Sequence, residues 1–293
     1  MNLLSRRKRS SDRADHPGQL PPALPLPLKP VLAALPDVPP SAAVGYGERQ
    51  ERALAVEGMM SAFSMQVMDA VLAYQASINL RGPLFEAGVW KGRSASIISA
   101  HVREGELLIL SDIQQLLSEQ VLATAIYVRP VFVLGASKGF RDSFNVGEIR
   151  GRVRFAHVDS SHSYRDTLAE MELVDEILAP GGVACLDDFT NLNYSQILPA
   201  VFKYLYTTQT DLGFFLVTSE KGYLCRKPFA DSYGSFVLHQ LLDEMHDRGN
   251  DEVMLSRTDA DAEYRAFHLR RRDPGETGRF YGTELYSEFY KAP

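Results

Sequence analysis

Two short loops hold the residues best suited to chemistry: Val158-Asp159-Ser160-Ser161-His162-Ser163-Tyr164 and Cys185-Leu186-Asp187-Asp188-Phe189. Each follows an apolar run with the character of a strand, and neighbouring parallel strands lie about 4.8 Å apart, so Asp159, Asp187 and Asp188 can converge on one point. Three carboxylates with no basic residue beside them repel one another. Either they take up protons or a hard cation joins them, and an all-oxygen set suits Mg²⁺, Mn²⁺ or Ca²⁺ better than zinc. Taken alone, the Asp187-Asp188 pair is more simply a helix cap, but Asp159 and His162 in the matching loop turn the balance toward a site. His162, with an ordinary pKa of about 6.5, is either a general base for an acceptor hydroxyl or a histidine hydrogen-bonded at a loop corner.

Upstream, the apolar run Leu84–Ala87 leads into Glu86-Ala87-Gly88-Val89-Trp90-Lys91-Gly92-Arg93-Ser94, where two glycines four apart allow a tight turn and then a close backbone approach at a helix start. The dinucleotide fingerprint G-x-G-x-x-G is absent, because Trp90 stands two after Gly88, and so is the phosphate loop G-x-x-x-x-G-K-[ST]. NAD, FAD and ATP chemistry lose their support. No G-x-S-x-G elbow surrounds Ser160 or Ser161, which argues against a hydrolase. About twenty residues past the glycines, Asp112 ends the next apolar run, where an acid accepts from both ribose hydroxyls of a nucleoside. By itself Asp112 reads as a helix cap or a surface residue. Gly135-Ala136-Ser137 after the third run reads equally as an adenine flank or as a turn.

These residues need a scaffold that gathers strand ends. Apolar runs at Leu84–Ala87, Leu107–Ser111, Val131–Leu134, Val153–Val158 and Val183–Leu186 alternate with helical stretches, which implies a parallel sheet covered on both faces. Phe214–Thr218 and Gly222–Arg226 are separated only by Ser219-Glu220-Lys221, too short for a crossover, and predict an antiparallel hairpin at the sheet edge. The fold class is therefore α/β, a Rossmann-like doubly wound sheet. Tyr164–Leu178 predicts a helix that Pro180-Gly181-Gly182 then ends. Arg49–Ile78 predicts one or two amphipathic helices with Met59, Met60, Met65 and Met68 as core filling, and Glu57-Gly58 reads as a helix-end turn or as a segment reaching the cofactor region.

The segments FEAGVWKGRSA and VDSSHSYRDTLAEMELVDEILAPGGVACLDDF resemble the class I S-adenosylmethionine-dependent methyltransferases, in particular the metal-dependent O-methyltransferases of macrolide and aminocoumarin sugars. The resemblance spans roughly Glu57 to Arg226. It implies that Glu86, Gly88 and Gly92 surround the methionine part of S-adenosylmethionine and that Asp112 holds its ribose; Ser94, Gly135, Ser137 and Asp159 are the further candidates for the cofactor site. It further implies Mg²⁺ at Asp159, Asp187 and Asp188, with Asp159 and His162 as the catalytic pair. The family's loop is Asp-Gly-Asp-His; here Ser160 and Ser161 replace the middle pair, which leaves His162 as the leading base. The implied activity is methylation of a hydroxylated small molecule, sugar-like or a vicinal diol. A non-catalytic cofactor-binding scaffold, or a metal-independent enzyme for a carboxyl or nitrogen acceptor, are the alternatives.

The 293 residues, 45% of them hydrophobic, suffice for one large core, and a formal charge of −6 argues against a nucleic-acid partner held by phosphate neutralisation. No run reaches the ~20 apolar residues of a membrane span and no secretory stretch opens the chain, so no membrane partner and a cytoplasmic location are expected. Cys185 and Cys225 lie in strand-like runs and are expected to be buried thiols. Nine of the sixteen prolines fall within residues 1–40, expected to be a disordered tail. A helical lead-in over 41–82, a catalytic core over 83–227 and an extension over 228–293 follow. Within that extension Phe236–Met245 is a helix candidate and Asp251–Asp261 is a charged stretch. The aromatics Phe280, Tyr281, Tyr286, Phe289 and Tyr290 are expected to pack on the core; the alternatives are a cap over the acceptor pocket and a subunit contact that would make a homo-oligomer.

Overall fold

A computed structural model describes residues 44–256 and 266–272. The expectations for the tail over 1–40 and for the aromatic end lie outside those residues.

Five apolar runs form the parallel half of one sheet: β1 (Leu84–Ala87), β2 (Leu108–Asp112), β3 (Val131–Leu134), β4 (Val153–Val158) and β5 (Leu178–Leu186), in the spatial order β3-β2-β1-β4-β5. Strand order reverses between β1 and β4, and a parallel α/β sheet offers its ligand crevice at that reversal, beyond the carboxyl ends of the strands. The hairpin of β6 (Leu212–Thr218) and β7 (Gly222–Arg226) pairs antiparallel, with β7 beside β5. Two strands the sequence had not shown, β8 (Val253–Ser256) and β9 (Phe267–Arg271), extend that end beyond β6, β9 pairing parallel with β6 and antiparallel with β8. β8 lies within the stretch expected to be only charged; its Val253, Met254 and Leu255 are buried.

Side chains on a strand alternate between faces, and two apolar layers result. One joins Leu84, Leu108, Phe155 and Val183 to α1 (Tyr46–Ala55), α2 (Ala62–Ser77), α3 (Arg93–Ser99), α4 (Glu119–Thr124), α8 (Ala230–His239) and α9 (Leu241–Asp247). The other joins Phe85, Ile109, Ala156 and Leu224 to α5 (Phe140–Ser143), α6 (Tyr164–Ile177) and α7 (Ile197–Thr207).

Three expectations need correction. Helix α2 is not an amphipathic surface helix: eleven of its sixteen residues are buried, as befits a helix apolar nearly all round. Of its neighbouring methionines Met65 and Met68 fill the core, while Met59 is 88% exposed. Pro180-Gly181-Gly182 lies within β5 rather than before it; Val153 pairs with Leu178 and Phe155 with Val183, so the extra residues bulge out of register. A side chain at Gly182 would meet the Val153 carbonyl at 2.7 Å, which explains a glycine inside a strand. The single helix candidate Phe236–Met245 is two helices, α8 and α9, parted at Gln240.

Candidate active site at the strand ends

The loops after β1 to β5 and the β6–β7 turn enclose a cleft of about 630 Å³. Gly88, with φ +85°, belongs to the left-handed region, and a Cβ there would lie 1.9 Å from the Asp159 carbonyl oxygen. Only glycine lets the turn after β1 pass the end of β4, and this close approach sets Asp159 beside the glycine turn. Trp90 follows with φ 46°, an unusual conformation for a bulky residue, and the Asp112 Oδ2 braces the turn by accepting from Val89 N and Trp90 N, each at 2.8 Å. Asp112 thus shapes the glycine loop and also lines the cleft.

Among the residues expected around a cofactor, Gly88, Ser94, Asp112, Gly135, Ser137 and Asp159 all line the cleft. Glu86 and Gly92 do not. Glu86 is fully buried beneath the wall, with Oε1 2.8 Å from His157 Nδ1 and Oε2 without a partner. Gly92, φ +95°, faces Leu117 rather than the cleft; a Cβ there would meet Leu117 Cδ1 at 2.4 Å. Gly58 lines the cleft, and Lys91 binds Glu57 beside it at 2.5 Å.

The two acidic loops do meet, but not as one set of three. Asp188 has φ 51°, a left-handed turn that sends neighbouring aspartates to different partners. Asp187 points inward: its Oδ2 is 2.5 Å from Lys221 Nζ and its Oδ1 accepts from Asp188 N at 2.8 Å. Asp188 faces the cleft, with Oδ1 taking Asn191 Nδ2 at 2.9 Å and Oδ2 3.2 Å from His162 Nε2. Asp159 Oδ1 lies 3.6 Å from the same nitrogen. These are ion-pair distances without hydrogen-bond alignment. The His162 ring stacks on Tyr194 with centroids 3.9 Å apart. Asp159 and Asp188 push the His162 imidazole up to about 9 against the burial that opposes them, so at neutral pH it is an imidazolium. Burial, with Asp187 adding repulsion against the counter-pull of His162, raises Asp159 to about 6. Asp187 sits well below the carboxylate range, since Lys221 and His157 outweigh its burial.

The expectation of three carboxylates without a basic neighbour is corrected by Lys221, a residue the sequence showed only as part of a hairpin turn. Its side chain is 1% exposed, reaches the cleft wall, and stands 3.3 Å from His157 Nε2. Among the described residues, atoms able to hold a metal ion cluster in two overlapping groups, His157, Asp159 and Asp187, and Asp159, His162 and Asp188. In the first, the Lys221 ammonium is already against Asp187. In the second, His162 rather than Asp187 completes the group with Asp159 and Asp188. The residues present do not fit the expected Mg²⁺ site at Asp159, Asp187 and Asp188. Ser160 and Ser161, where the family has glycine and aspartate, serve the loop itself. Ser160 Oγ donates to Glu170, and Ser161 Oγ donates to Asp166 at 2.7 Å.

The doubly wound sheet sets an acid-rimmed cleft at its switch point, the place where open α/β sheets bind ligands. Residues 85–189, from β1 to just past Asp188, match the family model described as a methyltransferase domain. Over that stretch the chain carries a methyltransferase domain. No curated protein sequence matches it. Among solved structures, the apo form of CalS11, a TDP-rhamnose 3'-O-methyltransferase of calicheamicin biosynthesis, is 18% identical with a TM-score of 0.44, over 61% of this chain and 93% of that one. The O-methyltransferase from Bacillus cereus in complex with SAH is 13% identical with a TM-score of 0.45, over 62% and 90%. The O-methyltransferase NovP is 16% identical with a TM-score of 0.41, over 56% and 80%.

S-adenosylmethionine fits the residues in hand. The glycine cradle at Gly88 admits backbone contact, Asp112 supplies a carboxylate at the end of β2, and Gly135 and Ser137 offer a third wall. Among the described residues no helix is long and apolar enough to cross a membrane.

Proposed function

We propose that the chain methylates an oxygen of a hydroxylated small molecule, with Asp159 as the proton acceptor. The carrying observation is that Asp159 and Asp188 face one space beside the Gly88 turn, 3.6 and 3.2 Å from a shared His162 nitrogen. Two carboxylates so placed can accept from two neighbouring hydroxyls, which supports a sugar-like or vicinal-diol acceptor.

S-adenosylmethionine supplies an electrophilic methyl group on its sulfonium. Gly88, Asp112 and Ser137 hold and orient that donor. With that donor bound, Asp159 would take the acceptor's hydroxyl proton as the oxygen gains the methyl group, the donor leaving as a neutral thioether. A carboxyl raised to about 6 is better matched to this task at neutral pH than an ordinary aspartate. His162, as an imidazolium, fixes the two carboxylates and does not itself accept the proton. Divalent-metal assistance is not carried into this reading, because the aspartates do not form the set it requires. The net charge of −6 supports a small acceptor rather than a nucleic acid.

The test is incubation of the full chain with isotopically labelled S-adenosylmethionine and a panel of nucleoside-diphosphate sugars and catechols, read by mass spectrometry. A labelled O-methyl product that Asp159→Asn no longer forms supports the reading. Methylation confined to carboxyl or amine acceptors, or cofactor binding with no product from any acceptor, overturns it.

A further inference from the structure

The acidic rim already contains a cation of its own. Lys221 is buried to 1% exposure, and lysine is almost never buried so completely unless it is paired. Its ammonium is 2.5 Å from Asp187 Oδ2 and 3.3 Å from His157 Nε2, and His157 Nδ1 is 2.8 Å from the fully buried Glu86. His157 Nε2 also lies 3.6 Å from Asp187 Oδ2, so Glu86, His157, Lys221 and Asp187 form one contiguous chain of charged and polar groups from beneath the glycine turn to the cleft wall. The turn that carries Lys221 is fixed independently. Thr218 Oγ1 accepts from Lys221 N at 2.9 Å, the Glu220 carbonyl accepts from Phe189 N at 3.1 Å, and Ser61 and Ser64 both donate to the Glu220 carboxylate. A lysine stem has rotamer entropy to lose, and this setting removes it before any ligand arrives.

We propose that the Lys221 ammonium is the resident cation of this site, standing among the aspartates expected to hold a divalent metal, so that methyl transfer by this chain is metal-independent. The inference rests on the methyl-transfer reading above. Asp187 spends both oxygens on Lys221 and on the Asp188 amide, which leaves Asp159 and Asp188 as the carboxylates open to an acceptor. A divalent ion at Asp187 would sit against a buried positive charge, a repulsion that low-dielectric surroundings enlarge. During transfer Lys221 keeps its proton. It neutralises Asp187 and presents positive charge toward the acceptor oxygen as that oxygen gives its proton to Asp159.

The experiment is titration of the full chain, loaded with S-adenosylmethionine, with Mn²⁺ followed by the free-ion electron paramagnetic resonance signal, alongside turnover with and without EDTA. For the wild type the expected result is no Mn²⁺ uptake and turnover indifferent to EDTA. Lys221→Met keeps the apolar stem and removes the charge. It is expected to lose about 10²-fold in turnover, as for removal of one preorganised electrostatic group, and to take up Mn²⁺ at the vacated position. Wild-type uptake of one equivalent of Mn²⁺ with loss of turnover in EDTA overturns the proposal, and that arm decides it even if Lys221→Met does not fold. A chain that binds no S-adenosylmethionine defeats the methyl-transfer reading instead, a result visible before any metal is added.

Discussion

Asp159 stands where the glycine turn, the acidic loop and the cleft meet, and its ionisation should govern turnover. If it accepts the proton, activity requires its carboxylate, so turnover should rise with pH through about 6, the value to which burial and Asp187 raise it. Asp159→Asn should lose about 10²- to 10⁴-fold in kcat while still binding S-adenosylmethionine. His162 gives the sharper comparison. Because its positive charge holds the Asp159 carboxyl down, His162→Gln should move the acidic limb of the pH profile to higher pH, whereas a His162 base would leave no such limb to move. The aspartates were legible in the sequence because residues just past parallel strands face the crevice. Lys221 was not, since its partner Asp187 belongs to another strand's loop and a lysine in a tight turn ordinarily points to water. The division of labour between Asp187 and Asp188 was hidden too, because it depends on the left-handed backbone at Asp188.

Among the elements, the β1 turn and the buried helix α2 carry the strictest demands. Gly88→Ala would place a methyl 1.9 Å from the Asp159 carbonyl on a backbone with φ +85°. Strain of that kind costs at least about 1–3 kcal/mol, and the clash forces β1 and β4 apart, so both melting temperature and cofactor affinity should fall. Helix α2 is tied to its neighbours through the fully buried Asp69, which takes Arg49 at 2.8 Å, Arg248 at 2.8 Å and His101 at 2.6 Å, and so joins α1, the end of α3 and the end of α9. Asp69→Ala leaves those guanidiniums without their counter-charge and should cost about 3–5 kcal/mol in denaturant unfolding. A loss under about 1 kcal/mol would show that the cluster does not stabilise the helices. The strands β1, β3, β4 and β7 were readable to the residue, because short apolar runs between turn residues have few other uses. Strands β8 and β9 escaped notice because charged neighbours masked a brief buried alternation, and the Pro-Gly-Gly bulge was hidden because proline and glycine ordinarily mark the end of an element rather than a distortion within one.

For the whole molecule, the sheet's two apolar layers were implied by the alternating runs, while the polar ties that cross between elements were not. One such tie sets acid stability. Burial alone would raise the Glu106 carboxyl, but hydrogen bonds from the buried Arg154 and from Arg103 outweigh it and hold the group at about 2 instead of 4.5. A carboxyl depressed in the folded state adds stability in full above its unfolded value and loses it as pH falls through its folded value. The stability advantage of the native chain over Glu106→Gln should therefore be complete above about 4.5 and vanish by about 2, as followed by urea melts across pH. The central claim concerns the cleft at the switch point, and calorimetric titration with S-adenosylmethionine tests it most directly. Saturable binding of one equivalent, weakened about tenfold or more by Asp112→Ala through loss of charged hydrogen bonds, is the expected result. No heat of binding, or an affinity that Asp112→Ala leaves unchanged, would contradict it.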